Sequence, residues 1–294
     1  MRLRPFETRS LTRLAAGIVL CLGVAACGTV ILGETGFLSR YDRLRKSDEA
    51  TTEARLFAET SALARTRTVR IIPTAFPEAV SGPGITAAQR KLVANAADRA
   101  MCYELSLRYD VVSGRDADLT VRAAVTRVEL TNLVGAGATI GASGAITIAS
   151  QLGVGFADAV GRIPVPRVPI GLGSLTVEAE ALDRRRDQRA AMIWGGAANS
   201  FTSQPRFSPI SDAYDLAGEF GQDFGFYIAT GQDPFKAPLF IPNYDRLRIT
   251  VLGEAPLDPD CEAFGRAPGI DGIIGDYIGL PPEFGDKGPA ARIN

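Results

Sequence analysis

The chain has 294 residues, with 32 basic and 33 acidic side chains, four cysteines and no histidine. A near-neutral, slightly acidic balance with no basic tract to neutralise phosphates argues against nucleic acid as a partner. The missing imidazole removes Ser-His-Asp and Cys-His catalysis, the commonest zinc and iron ligand, and the usual general base near neutral pH.

In chain order the first element is a leader. Arg2, Arg4, Arg9 and Arg13 form a basic head with only Glu7 against it. An uncharged run of about fourteen residues follows, from Leu14 to Cys27, shorter than the roughly twenty that a spanning helix needs. A basic head, a short apolar stretch and small residues at its end read as a signal peptide over 1–26. The run closes with Val24-Ala25-Ala26-Cys27, which resembles the bacterial lipobox: an apolar residue, two small ones, then the cysteine whose thiol receives lipid. Cys21 also follows apolar residues, but cleavage there strands Leu22 to Ala26 at the mature end, so Cys27 is the expected lipidation site. Gly28, where an Asp favours the inner membrane, points to the outer membrane facing the periplasm. Several acyl chains on one cysteine anchor firmly, each buried methylene contributing about 0.8 kcal/mol. The alternatives are an ordinary signal peptide ending beside a cysteine and a retained N-terminal anchor.

Residues 27–35 are a short lipidated tether, and 36–252 are expected to form one domain. Phe37, Leu38, Tyr41 and Leu44 recur at helical spacing, as a stripe able to dock on that domain. Val69 and Ile71 open a strand over 68–76 that stops at proline, and a turn-rich stretch runs from Glu78 to Gly84. Thr86 offers an N-cap for a helix to about Leu107, with Leu92, Ala96, Tyr103 and Leu107 on the apolar face and Lys91, Asp98 and Arg99 away from it. Tyr109 to Val112 is a short strand. Asp118 to Asn132 is a longer one whose alternation slips by one residue, marking a bulge near Thr126 or Arg127.

Leu130 to Ala157 carries no charge, and 133–170 reads as a Gly/Ala-rich insertion with a Pro-rich connector. Small residues four apart suit helix–helix association. Alternating apolar residues around Ser143-Gly144 suit an amphipathic hairpin long enough for a membrane barrel. The third reading, packing against the domain's own sheet, is the simplest.

Leu175 to Leu182 and Ala190 to Trp194 are strands joined by the charged turn Asp183 to Asp187. Glu178 and Glu180 alternate with Val177, Ala179 and Ala181, as on a solvated face opposite a core face. Arg184 to Arg186 read as a solvated hairpin tip, with anionic headgroups as the alternative partner. A last helix runs from about Ser211 to Ile228, with Ala213, Leu216, Ala217, Phe220 and Phe224 inward. The tail, 253–294, is rich in Gly and Pro and is expected to be extended over the surface or partly disordered. In an oxidising periplasm the two remaining cysteines, Cys102 and Cys261, suggest one disulfide; two buried free thiols are the alternative.

The order of these pieces resembles bacterial lipoproteins of the domain-of-unknown-function 3313 family. The match rests on Gly36-Phe37-Leu38 with Tyr41 and Leu44, on Leu119-Thr120-Val121-Arg122, and on Gly171 to Ala191 with Glu178, Glu180 and Asp183 before a turn. Where that family usually has a Thr-Gly pair in the turn, this chain has Arg184-Arg185-Arg186. The resemblance implies no activity, so it transfers no catalytic residue.

The expectation is therefore an α+β fold: a mostly antiparallel sheet with two long helices packed on one face, and an irregular Gly/Pro-rich tail. No phosphate loop, dinucleotide motif, metal set or catalytic constellation is found, and no cofactor is expected. The function expected is a membrane-anchored envelope lipoprotein with a non-enzymatic structural or accessory role, acting on an envelope protein partner. The alternative is an oligomerising or membrane-active lipoprotein using 133–161, which makes a homo-oligomer possible. An enzyme working with carboxylates alone is the weakest reading.

Overall fold

A computed structural model describes residues 30, 32–48, 52–133, 172–199, 206–236 and 244–288. The leader, Cys27 and nearly all of the Gly-rich segment 133–161 therefore lie outside the described residues.

Seven strands form one sheet: β1 (Arg45–Asp48), β2 (Thr52–Ala58), β3 (Thr68–Ile71), β4 (Asp110–Val111), β5 (Leu119–Glu129), β6 (Ser174–Asp183) and β7 (Gln188–Ala197). They lie side by side in the order β1-β2-β7-β6-β5-β3-β4. Only β3 has parallel neighbours, β4 and β5; every other pairing is antiparallel. The expected α+β fold with a mostly antiparallel sheet is what forms. Partners step from Val125↔Val177 to Arg127↔Thr176, so Thr126 is the bulged residue.

β1 and β2 were not expected. Thr52, Ala54 and Leu56 do turn inward in alternation, but only Leu56 is large and apolar, and they sit among Glu53, Arg55 and the charged β1, so the period-2 signal is faint.

One face of the sheet carries two long helices, α1 (Ala87–Ser106) and α2 (Ser211–Thr230). Thr86 starts α1 with a reciprocal capping box: its hydroxyl accepts from Gln89 N, and the Gln89 side chain accepts from Thr86 N. The helices touch closely where Gly221 faces the Ala97 carbonyl; a Cβ there would lie 2.2 Å from that oxygen. Trp194, Phe220 and Phe224 are fully buried in this core, with Leu175, Val177, Ala179 and Met192 from the sheet beneath.

The inward face of α1 differs from the expected one. Val93, Ala97, Met101 and Leu105 form its buried stripe, four residues apart, while Leu92 is half-buried and Leu107 is 47% exposed. Asp98 is fully buried, because α1 packs on the sheet on one side and on α2 and the tail on others, leaving little of its middle for solvent.

The tail is more ordered than its composition suggests. After α3 (Tyr244–Val251), which precedes it, it contains a 3₁₀ turn (Pro259–Phe264) and α4 (Gly269–Tyr277). A disulfide joins Cys261 in that turn to Cys102 in α1, with Cα atoms 5.8 Å apart. Asp258 reinforces the join: one carboxylate oxygen caps Asp260 N and the other accepts from Val111 N at 2.8 Å.

Asp212, in the first turn of α2, gathers the two ends of the long insertion. Its Oδ2 accepts from Thr131 Oγ1 at 2.9 Å and from Gly173 N at 2.8 Å. The chain thus departs and returns at one point, beside the paired residues Glu129 and Ser174.

Candidate functional site

The sheet face away from the helices would be open to water but for residues 30 and 32–44, which cross it as a strap. Side chains of β6 and β7 alternate between the two faces: Val177, Ala179, Met192 and Trp194 point to the helices, whereas Leu38 of the strap packs on Ala191 and Ile193. Leu32, Phe37, Tyr41 and Leu44 pack around that cluster. The expected docking stripe does dock, but as an irregular run of bends and not as a helix.

Two carboxylates hold the strap, and neither is solvated. Glu178 and Glu180 are both 0% exposed, contrary to the solvated face read from their alternation. The cause is that the strap, not water, covers them. Glu178 accepts from Thr35 N at 2.8 Å and from the Tyr41 hydroxyl at 2.5 Å. Glu180 accepts from Ser39 N (2.8 Å), Ser39 Oγ (2.9 Å), Gln188 Nε2 (2.8 Å) and Arg122 Nε (2.8 Å). A buried carboxylate is tolerated only when its oxygens are satisfied in this way. Burial, and then the hydrogen bond to Glu178, hold the Tyr41 phenol above its ordinary pKa.

Basic residues complete the clasp. Arg122 donates to the Phe37 carbonyl at 3.0 Å and stacks on the Phe37 ring, 4.7 Å from its centroid. Arg43 donates to the Gln188 carbonyl and lies over Phe57. Arg55 of β2 holds the beginning of the strap through Glu34 and the Leu32 carbonyl. Gly195 of β7 leaves room for it: a Cβ there would sit 2.3 Å from Val30 Cγ1 and 2.7 Å from Leu32 Cδ2.

The other sequence expectations fall as follows. Arg184 to Arg186 are exposed at the hairpin tip, where Arg184 reaches Asp118 at 3.0 Å. Trp194, Phe220, Phe224 and Tyr227 are core residues. Among the described residues no group of acids and cysteines is arranged for a metal, and no helix is long and apolar enough to cross a membrane. Sequence reasoning missed Asp98, whose carboxylate accepts from Thr74 N and from Thr74 Oγ1 at 2.6 Å. Burial pushes its pKa up to about 7, against the lowering effect of the Thr74 hydrogen bonds.

With the strap and sheet described, the kinship is plain: the chain belongs to the family described as protein of unknown function (DUF3313), whose model matches residues 33–224. That span begins within the strap and ends inside α2. A search of curated proteins returns no match. Among solved structures the chain is similar to a PelC dodecamer from Paraburkholderia phytofirmans, at 11% identity and TM-score 0.34, over 64% of this chain and 99% of that one. It is also similar to a hypothetical protein from Chlamydia trachomatis, at 11% identity and TM-score 0.28, over 55% of this chain and 98% of that one.

Proposed function

We propose that this chain is a lipid-anchored protein of the bacterial cell envelope, cut before Cys27 and acylated there, with a structural or accessory role exerted through contacts with an envelope protein. The observation that carries the reading is the strap. Val30, three residues beyond Cys27, already packs at Gly195 on the sheet. Three residues of extended chain reach at most about 11 Å. A lipid on Cys27 therefore holds the folded domain against the membrane surface with almost no slack. Gly28 favours the outer membrane, facing the periplasm. An oxidising compartment also suits the Cys102–Cys261 bond.

A non-enzymatic role is supported by how the buried acids are used. Glu178 and Glu180 are committed to the strap and to Arg122, leaving neither free to move a proton at an open surface.

The test is metabolic labelling with a palmitate analogue, followed by membrane fractionation. Wild type is expected to carry label and to sediment with the outer membrane, and Cys27→Ser to lose both. Full-length, unlabelled wild type in the soluble fraction would overturn the reading. Proximity labelling from the C-terminal end in intact cells then identifies the protein partner.

A further inference from the structure

The strap gives the domain a direction. Val30 and Leu32 lie at Gly195, Thr35 at Glu178, Ser39 at Glu180 and Arg43 at Gln188. The strap therefore runs lengthwise, from the end where Ser174 pairs with Ala197 towards the hairpin tip at Arg184 to Arg186. Cys27, three residues before Val30, belongs by chain length to the Ser174–Ala197 end, since three residues reach at most about 11 Å. Both long helices start at this end. Gly221 faces Ala97 and Gly225 faces Met101, so α1 and α2 run parallel, and Asp212 in the first turn of α2 holds Gly173 beside Ser174.

The last part of the chain lies across those helix starts. A short helix, Pro282–Gly285, follows α4. Its Glu283 accepts from Gln89 Nε2, in the first turn of α1, and from Ser208 Oγ, just before α2, both at 2.8 Å. The Gly279 carbonyl, just beyond α4, accepts from Phe207 N at 3.1 Å. α4 itself is built inside out. At 3.6 residues per turn its Gly272 and Gly275 fall on one face, and Ile270, Ile273 and Ile274, with Ile278 beyond its end, on the opposite one. The glycines are buried, and a Cβ on Gly285 would sit 3.2 Å from Gly272 Cα. The isoleucines are turned outward and exposed, as are Phe207 and, at 78%, Phe284. A cluster of large apolar side chains left outside in this way marks an interaction surface.

We propose that this end of the domain rests on the membrane that anchors it, with α4 laid along the bilayer surface and its isoleucine face and Phe284 among the acyl chains. The proposal rests on the lipid-anchor reading, which brings the bilayer within reach of this end. Charge decides the kind of lipid. Residues 269–288 carry Asp271, Asp276, Glu283 and Asp286 against Lys287 as the only base, so anionic headgroups offer no attraction and the contact is an apolar one with zwitterionic lipid. The arginines of the hairpin tip project from the opposite end of the sheet, away from the bilayer.

Tryptophan quenching tests the contact. The palmitate-labelled full chain is reconstituted in phosphatidylcholine vesicles with brominated acyl chains, carrying Phe284→Trp, Ile274→Trp or, at the far end of α1, Leu107→Trp. Emission should be lost at positions 284 and 274 and kept at 107, while the buried Trp194 gives the same background in all three. Adding Ile273→Asp to Phe284→Trp should restore part of the lost emission. The proposal is overturned if a labelled chain sits on the vesicles with positions 284 and 274 unquenched, a result that leaves the anchor standing. It is overturned equally if position 107 is quenched as strongly, or if emission at 284 is blue-shifted without quenching while the particle mass doubles, which assigns the face to a second copy. A chain that takes no label and stays off the vesicles overturns anchor and contact together. Ile274 and Phe284 are both exposed, so either tryptophan carries the test if the other variant folds poorly.

Discussion

Arg122 and Glu180 stand directly opposite one another in the register of β5 and β6, and the Glu180 carboxylate accepts the Arg122 Nε hydrogen at 2.8 Å. The pair is asymmetric: the Arg122 side chain is 31% exposed, whereas that of Glu180 is wholly buried beneath the strap. The arginine joins strap to sheet, since it also holds the Phe37 carbonyl.

Removing the acid from this pair should loosen the strap. Glu180→Ala leaves Arg122, Ser39 and Gln188 without their shared acceptor, and breaking a buried pair from one side costs about 3–5 kcal/mol. Urea denaturation should show that loss, and trypsin should cut at Arg40 or Arg43 sooner than in wild type. Unchanged stability together with unchanged cleavage would mean that the strap is held by Leu38 and its apolar neighbours alone.

Gly195 should be equally intolerant of a side chain, for a steric reason. Gly195→Val drives its Cβ into Val30 and Leu32. Overpacking of this kind costs about 1–3 kcal/mol. The substitution should open the strap while the helix-side core, reported by Trp194 fluorescence, keeps its native spectrum. A spectrum shifted to that of unfolded protein would place the damage in the core instead.

The insertion should be dispensable for folding. Its ends meet at Asp212, and loop-closure entropy rises only slowly with length, by about 0.6 kcal/mol per doubling. Replacing residues 134–171 with a short Gly-Ser linker is expected to leave the circular dichroism of the domain intact and its melting temperature within a few degrees. A chain that no longer folds would show that the segment supplies part of the core.

Much of this architecture is legible in the sequence, and the misses share one cause. Thr86 with Gln89, the one-residue slip at Thr126 and the charged turn after Asp183 are local signals, so they could be read from neighbours in the chain. Glu178 and Glu180 could not: acids alternating with apolar residues look the same whether the far face meets water or a strap folded back from 137 to 143 residues away. Asp98 hides for the same reason, since its partner Thr74 lies 24 residues upstream.

That disulfide should contribute measurably to stability. It spans 159 residues of sequence, for which chain-entropy reasoning gives about 5 kcal/mol. Guanidinium titrations with and without reductant, and of a Cys102→Ala/Cys261→Ala chain, should differ by a few kcal/mol. Equal midpoints would show that Asp258 and the packing of Phe264 suffice to seat the tail.

Stability should also fall as pH rises from about 4 to about 7. The Asp98 carboxyl has a folded-state pKa raised to about 7, above its ordinary value, so between those limits the folded state binds more protons than the unfolded one. Its penalty is absent below the unfolded pKa and reaches its full size, of the order of a few kcal/mol, above the folded one. Asp98→Asn, whose amide oxygen still accepts from Thr74, should flatten this slope and be the more stable chain above pH 7. Parallel slopes for the two chains would exclude Asp98 as the source.

The strap has a consequence for the order of events as the chain is made. Its seat is built from residues 178 to 195, whereas the strap itself is among the earliest parts to emerge. Contacts so distant in sequence form late. Until β6 and β7 have followed it out, the amino-terminal stretch has nowhere to lie, and any enzyme that must handle it meets an unencumbered peptide. Once the hairpin closes, that opportunity ends.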